Sequence, residues 1–166
     1  MRWNALAAAV LAFCIAASPA TVAQQSWKQL PVINQEWVKP FPPLRIVGNL
    51  YYVGTYDLAV YLIVTDAGNI LINTGINDST AGIKSNIEAL GFKLEDVKIL
   101  LATHGHWDHV AAFAEIKRLT GAQMMMHEDD AGLLESGGRT DFRFPDGRGG
   151  IYQPVQVYRG PKGGYT

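Results

Sequence analysis

One short segment constrains this chain more than any other, because three of its four histidines lie within residues 103–109. The segment brings together four side chains that bind metals, namely His104, His106, Asp108 and His109. An apolar run at 97–102 precedes it and predicts a strand buried on both faces. Apolar residues at helical spacing follow it and predict a helix from about residue 108 to the residue before Gly121. The four side chains therefore belong to a strand end, where α/β folds bind their ligands.

The residue types at this strand end are those of a zinc site. Zn²⁺ binds neutral imidazole nitrogen and carboxylate oxygen at about 2.0–2.2 Å. His104 and His106, two residues apart on a turn, can point into one site. Asp108 and His109, adjacent at a helix start, can diverge toward a second site, as two-metal hydrolases require. The alternative is a chance cluster of surface histidines in a polar loop, and the strand-end position favours metal.

The remaining pattern predicts a mixed α/β domain. Three strands at 45–53, 58–65 and 69–73 form an antiparallel meander, with a turn at 66–68. A helix at 80–90 begins behind a cap at Asp78 or Ser79 and stops at Gly91. The segment 122–126 is a further core strand that includes three methionines. From Glu128 onward the sequence is rich in glycine and charge, and no regular element is predicted.

Composition excludes several other classes of protein. The 166 residues are 48% hydrophobic and 17% charged, as expected for one globular domain. Lys and Arg number 14 against 15 Asp and Glu, without a basic cluster, so nucleic acid is not an expected partner. The single cysteine, Cys14, excludes an intrachain disulfide and paired-cysteine zinc sites.

Residues 1–23 have the pattern of a secretory signal peptide. Arg2 precedes an apolar run at 5–17, and small residues lead to cleavage after Ala23, with Ala20 as the second choice. The run is too short for a membrane anchor, which needs roughly 20 residues, and a lipid-modified Cys14 fits the pattern less well. We expect a periplasmic protein with no membrane attachment after cleavage. Residues 24–43 then form a proline-rich N-terminal arm, and residues 44–166 form the domain.

The segment from His104 to His109 resembles the HxHxDH signature of the metallo-β-lactamase superfamily. Further stretches resemble the third subclass of class B zinc β-lactamases, namely 53–55, 70–75, 87–92, 113–121, 135–138 and 141–142. Much of the superfamily has Asp at the position of Asn73, and Asn is common there in that subclass. The likeness extends from about Trp37 to about Val157, which covers most of the chain.

This resemblance implies a fold and a reaction. The fold is an αββα sandwich, of which the chain carries only the first αβ half, so the domain is expected to be incomplete at its C-terminal end. Each complete site holds two Zn²⁺ ions, the first on His104 and His106 and the second on Asp108 and His109. Zinc-bound hydroxide then hydrolyses the amide bond of a β-lactam antibiotic, which confers resistance. Asp108 acts as the catalytic residue that orients the nucleophile.

The resemblance also implies six protein ligands, of which two histidines would lie beyond Thr166. We therefore expect a polypeptide of these 166 residues to hydrolyse β-lactams poorly or not at all. Half a sandwich exposes an apolar sheet face, so self-association is expected as well. The alternatives are another hydrolase of the same fold, acting on a lactone or a thioester, and a non-catalytic zinc-binding fragment.

Five further residues are weaker candidates. Asn73 and Thr74 are expected to brace the metal loop, with a plain turn as the alternative. Ser136 and Gly137 are expected to border the substrate groove, although a glycine-rich surface loop explains them equally well. His127 is expected to be a hydrogen-bonded structural residue and not a metal ligand.

Overall fold

The computed structural model describes residues 34–145 and 147–159. The predicted signal at 1–23 and residues 24–33 of the predicted arm lie outside the described residues. No helix in the described part of the chain combines the length and the apolar character needed to cross a membrane.

A single six-stranded sheet organises the described residues. Its strands are β1 Leu44–Val47, β2 Leu50–Tyr52, β3 Tyr61–Ile63, β4 Asn69–Ile72, β5 Val97–Leu101 and β6 Gln123–Met125, and they lie side by side in chain order. The pairs from β1 to β4 are antiparallel, whereas β4 pairs in parallel with β5 and β5 in parallel with β6. Helical crossovers connect the parallel strands, as parallel pairing requires. The prediction of a mixed α/β fold is confirmed.

Four α-helices accompany the sheet within residues 34–145 and 147–159. They are α1 Thr80–Ala89, α2 Trp107–Val110, α3 Phe113–Thr120 and α4 Glu128–Ser136, and short 3₁₀ turns lie at Gln35–Trp37, Asn77–Ser79 and Leu94–Asp96. Ser79 precedes α1 at the N-cap position, but its side chain makes no capping hydrogen bond. Gly121 ends α3 with a φ of 69°, a left-handed conformation that glycine adopts without steric cost.

Three element predictions are wrong in detail. The predicted strand at 45–53 is two strands, because Gly48, with a φ of 54°, turns the chain and Val47 pairs with Leu50. The predicted helix from residue 108 is divided into α2 and α3, and the amide of Ala111 donates to Gly75 between them. Strand β5 is not buried on both faces, since Lys98 is exposed.

Helix α4 lies where no regular element is expected from the sequence. Its first turn is acidic, with Glu128, Asp129 and Asp130, which suits the positive end of the helix dipole. His127 caps it, and only Ala131 and Leu134 are buried, so its apolar face is narrow. A helix with so weak an amphipathic pattern is hard to detect from periodicity.

The core lies between one face of the sheet and the helices. Fully buried side chains come from the strands, from α1 and from α3, and include Leu62, Leu71, Leu100, Met124, Ile87, Phe113 and Ile116. Alternate residues of β4 are buried and half-buried, the period-two pattern of a strand. Helix α3 packs against β5, the strand that precedes the histidine segment.

Aromatic side chains pack the described part of the arm, residues 34–43, against the domain. The Trp37 ring lies 6.1 Å from that of Trp107, and its indole N–H donates to Asp57 at 2.9 Å. The Phe41 ring meets the edge of Tyr52 at 5.5 Å. The arm therefore contacts the start of α2, next to the histidine segment.

Candidate metal centre

The histidine segment forms a tight cluster of imidazoles at the carboxyl end of β5. The loop leaves β5 after Leu101 and enters α2 at Trp107. The ring centroid of His104 lies 4.8 Å from that of His106 and 4.0 Å from that of His109. A single turn of chain thus brings three nitrogen ligands to the same sheet edge.

Three of the four predicted ligands lie close enough together to hold an ion. His104, Asp108 and His109 each offer one ligand atom, and these atoms lie within 4.8 Å of one another. All three side chains are half-buried, and the Nε2 of His109 is 3.4 Å from the Oδ2 of Asp108. The Nδ1 of His109 is buried without a hydrogen-bond partner among the described residues. Imidazole nitrogens and a carboxylate oxygen this close together are a donor set that fits Zn²⁺.

The fourth predicted ligand, His106, faces a different carboxylate. Its Nε2 lies 3.4 Å from the Oδ2 of Asp141, a buried residue in the segment that follows α4. The structure therefore groups His104 with Asp108 and His109, whereas the sequence suggests His104 with His106. The assignment of the four ligands to two ions stays a prediction.

The electrostatics of the cluster favour the protonation states that bind zinc. Burial and the neighbouring His109 and His106 lower the pKa of His104, against the opposing charges of Asp108 and Asp130. Burial raises the pKa of Asp108, but its hydrogen bond to His109 and the nearby imidazoles outweigh burial, so this pKa is lowered overall. A neutral imidazole and an ionised carboxylate are the forms required for metal binding.

Two buried residues after β4 hold both ends of the segment. The Oδ1 of Asn73 accepts hydrogen bonds from the amide and the hydroxyl of Thr103, at 3.0 and 3.1 Å. Asn73 has a φ of 62°, a left-handed conformation that asparagine tolerates better than most residues. The amide of Thr74 donates to the carbonyl of His109 at 2.7 Å. These contacts suit the predicted bracing of the metal loop, and an effect on metal binding stays a prediction.

Two residues that the sequence does not mark as functional also support the loop. The hydroxyl of Tyr152 donates to the carbonyl of Gly105 at 2.6 Å, and burial raises its pKa, so it remains a donor. The indole N–H of Trp107 donates to Asn77 at 2.7 Å. A Cβ at Gly105 would lie 2.7 Å from a methyl carbon of Leu133, so a side chain there would require the Leu133 side chain to shift.

The other candidates take local structural positions. The hydroxyl of Ser136 donates to the carbonyl of Leu133 at 2.9 Å and lies 3.0 Å from that of Thr140. Gly137 ends α4 with a φ of 66°, and a Cβ there would lie 2.3 Å from the carbonyl oxygen of Tyr152. Their place in a substrate groove stays a prediction. His127 is exposed, and its Nδ1 accepts from the amide of Asp129 at 3.4 Å.

Comparison with known families gives one domain match. The model of the Metallo-beta-lactamase superfamily matches residues 55–164, about two thirds of the chain.

Several solved structures resemble the described fold. The class B3 di-zinc metallo-beta-lactamase LRA-12, from an Alaskan soil metagenome, is 53% identical over 78% of this chain and 49% of its own, with a TM-score of 0.75. The metallo-beta-lactamase GOB-18 from Elizabethkingia meningoseptica is 46% identical over 80% of this chain and 49% of its own, with a TM-score of 0.76. The subclass B3 metallo-beta-lactamase BJP-1 of Bradyrhizobium japonicum is 45% identical over 74% of this chain and 46% of its own, with a TM-score of 0.67. The chain therefore spans about half the length of each.

Proposed function

Since this chain belongs to the metallo-beta-lactamase superfamily, we propose that it provides the metal-binding loop of a zinc-dependent hydrolase that opens the amide bond of β-lactams. The observation that carries the proposal is the group formed by His104, Asp108 and His109 at the end of β5. Identities of 45–53% to class B3 enzymes support the substrate class. One of these enzymes, LRA-12, is a di-zinc metallo-beta-lactamase, which supports zinc as the metal.

The proposed chemistry assigns a role to each residue of the loop. His104, His106 and His109 would bind metal through neutral imidazoles, and Asp108 through its carboxylate. When bound, Zn²⁺ supplies polarisation of a carbonyl oxygen and a lower pKa for a water ligand. The charged carboxylate of Asp108 would also accept a hydrogen bond from the attacking water and so orient it. Asn73 and Thr74 would keep these groups in place during the reaction.

A chimera tests this proposal. The chain is joined to the part of the LRA-12 enzyme that it does not cover, and hydrolysis of nitrocefin is measured with and without EDTA. We expect turnover that EDTA abolishes, that Asp108→Ala removes, and that the serine-directed inhibitor clavulanate leaves unchanged. Asp129→Ala is the matched control, because that aspartate lies exposed at the start of α4.

Other outcomes of the same assay would point to the alternatives. Hydrolysis of a lactone or a thioester without β-lactam turnover would overturn the substrate class. Zinc binding without hydrolysis of a β-lactam, a lactone or a thioester would favour a non-catalytic role. Turnover that survives metal removal would contradict the zinc mechanism itself.

We also propose that residues 1–23 direct the protein to the periplasm, where a β-lactam hydrolase would confer antibiotic resistance. The support is the order of a basic start, an apolar run and small residues before Gln24. Mass spectrometry of the periplasmic fraction from a Gram-negative host should find a mature N-terminus at Gln24. A protein that retains residue 1 and stays in the cytosol would contradict this proposal.

A further inference from the structure

We infer that Asp141 is a positioning residue for His106, holding the imidazole in the orientation and tautomer with which it binds metal. The inference rests on the proposed function, since it takes the loop at 103–109 to be a metal site. No sequence pattern assigns Asp141 a role, and it is separated from His106 by α2, α3, β6 and α4.

The carboxylate of Asp141 is buried and faces the imidazole directly. Only 5% of its side chain is exposed, and its Oδ2 lies 3.4 Å from the Nε2 of His106. The carboxylate oxygen therefore faces the ring nitrogen that would donate to it. A buried carboxylate needs such partners, because leaving it unpaired is costly.

The orientation of the Asp141 carboxylate is set by its own chain. Its Oδ1 accepts hydrogen bonds from the amides of Arg143 and Phe144, at 2.8 and 3.2 Å. Oδ2 therefore remains directed at His106. Gly149 packs closely against this carboxylate, since a Cβ there would lie 3.1 Å from Oδ2.

The same turn also places an aromatic ring beside the imidazole. The ring centroid of Phe144 lies 5.8 Å from that of His106, with the planes inclined at 60°. One short segment thus supplies a carboxylate to Nε2 and an apolar surface to the ring. Both contacts restrict how far the His106 side chain can rotate.

The chemical consequence concerns the other ring nitrogen. An imidazole that donates its Nε2–H to a carboxylate carries its lone pair on Nδ1, which then is the atom free to bind metal. The carboxylate also makes the imidazole a more basic ligand. Asp141 therefore selects the ligand atom of His106 without touching metal or substrate.

The first test measures the tautomer without metal. The full 166-residue chain is labelled with ¹⁵N-histidine, and ring nitrogen shifts are recorded at mildly alkaline pH for its four histidines. We expect His106 with the proton on Nε2. Asp141→Asn keeps an oxygen for the turn but presents an NH₂ group to Nε2, so the proton should move to Nδ1. An unchanged His106 tautomer in Asp141→Asn would overturn the inference.

The matched control is Asp129→Asn, because Asp129 also lies 3.4 Å from a histidine nitrogen, that of His127, at an exposed position. This variant should leave the His106 signals unchanged. If Asp141→Asn fails to fold, Asp141→Ser retains an oxygen for the turn but cannot reach His106, and it should abolish the preference for Nε2–H.

The second test separates positioning from a merely structural role. Co²⁺ affinity, followed by visible absorption, should fall about 10–100-fold in Asp141→Asn. In a His106→Ala background the same substitution should have no further effect, and an equal loss in both backgrounds would overturn the inference. If the wild-type chain binds no Co²⁺, the proposed metal site fails, and the tautomer measurement still decides the role of Asp141.

Discussion

The side chain of Asn73 contacts the start of the loop at 103–109. One side-chain oxygen accepts both hydrogen bonds from Thr103, and the backbone adopts a φ of 62°. Asn73→Gly tolerates the backbone conformation but loses the acceptor, so we expect a loss of about 1–3 kcal/mol in the free energy of unfolding. Denaturant unfolding measures the loss of stability, and the amount of zinc bound measures the effect on the loop.

Asn73→Asp is the control for that substitution, because an aspartate retains the acceptor oxygen. It should keep more of the stability and of the bound zinc than Asn73→Gly does. Equal behaviour of the two variants would show that the hydrogen bonds to Thr103 do not hold the loop.

At this scale the sequence indicates the candidate ligands and the neighbouring Asn73 and Thr74, but not the more distant residues that contact the loop. His104, Asp108 and His109 are found because their chemistry and spacing lie within one short segment. Asp141 and Tyr152 reach the loop only through the tertiary fold, and the hydrogen bond from Tyr152 to Gly105 spans 47 positions of sequence. No local pattern marks such partners.

Among the elements, α4 is joined to the last described residues by an ion pair between Glu135 and Arg159. The guanidinium of Arg159 donates to both carboxylate oxygens of Glu135, at 2.6 and 3.1 Å, and lowers the pKa of that carboxyl. A lowered folded-state pKa stabilises the fold above the ordinary pKa of glutamate, and this contribution is lost as pH falls through the lowered value.

We therefore expect Glu135→Gln to reduce the free energy of unfolding at neutral pH, with the difference from wild type vanishing in acid. Glu88→Gln is the control, because Glu88 pairs with Lys84 at 3.7 Å on an exposed helix face. Such a pair contributes little, so its removal should change neither stability nor its pH dependence appreciably. If the free energy of unfolding of Glu135→Gln is still below that of wild type in acid, the ion-pair explanation is contradicted.

The strength of the local signal decides which elements the sequence predicts. The turn at 66–68 and the Gly91 stop of α1 depend on glycines with positive φ, which sequence patterns identify well. Helix α4 buries only Ala131 and Leu134 and contains Gly132, so its pattern is weak. Between α2 and α3 the amide of Ala111 donates both to Trp107 within α2 and to Gly75, and the bond to Gly75 is a tertiary contact that periodicity does not contain.

For the molecule as a whole, the first strand of the sheet is an exposed edge. All four residues of β1 are exposed, including Ile46 and Val47 at 45% and 66%. An apolar edge strand is a template for pairing with another chain, so we propose that the 166-residue protein self-associates through β1.

Val47→Lys should shift this equilibrium toward monomer, as followed by light scattering after size-exclusion chromatography over a range of concentrations. Leu119→Lys is the control, since Leu119 is also exposed but lies on α3. A protein that is monomeric at all concentrations, or that responds equally to both substitutions, would contradict an association through this edge.

The central claim is that the loop at 103–109 binds zinc, and zinc affinity of the purified 166-residue chain tests it most directly. Competition with a chromophoric chelator compares wild type with His104→Ala, Asp108→Ala and His127→Ala. We expect wild type and His127→Ala to bind zinc equally, because His127 lies outside the group of close ligand atoms, while the other two substitutions weaken binding sharply. The account would be contradicted if the wild-type chain binds no zinc, or if His127→Ala lowers the zinc affinity as much as Asp108→Ala does.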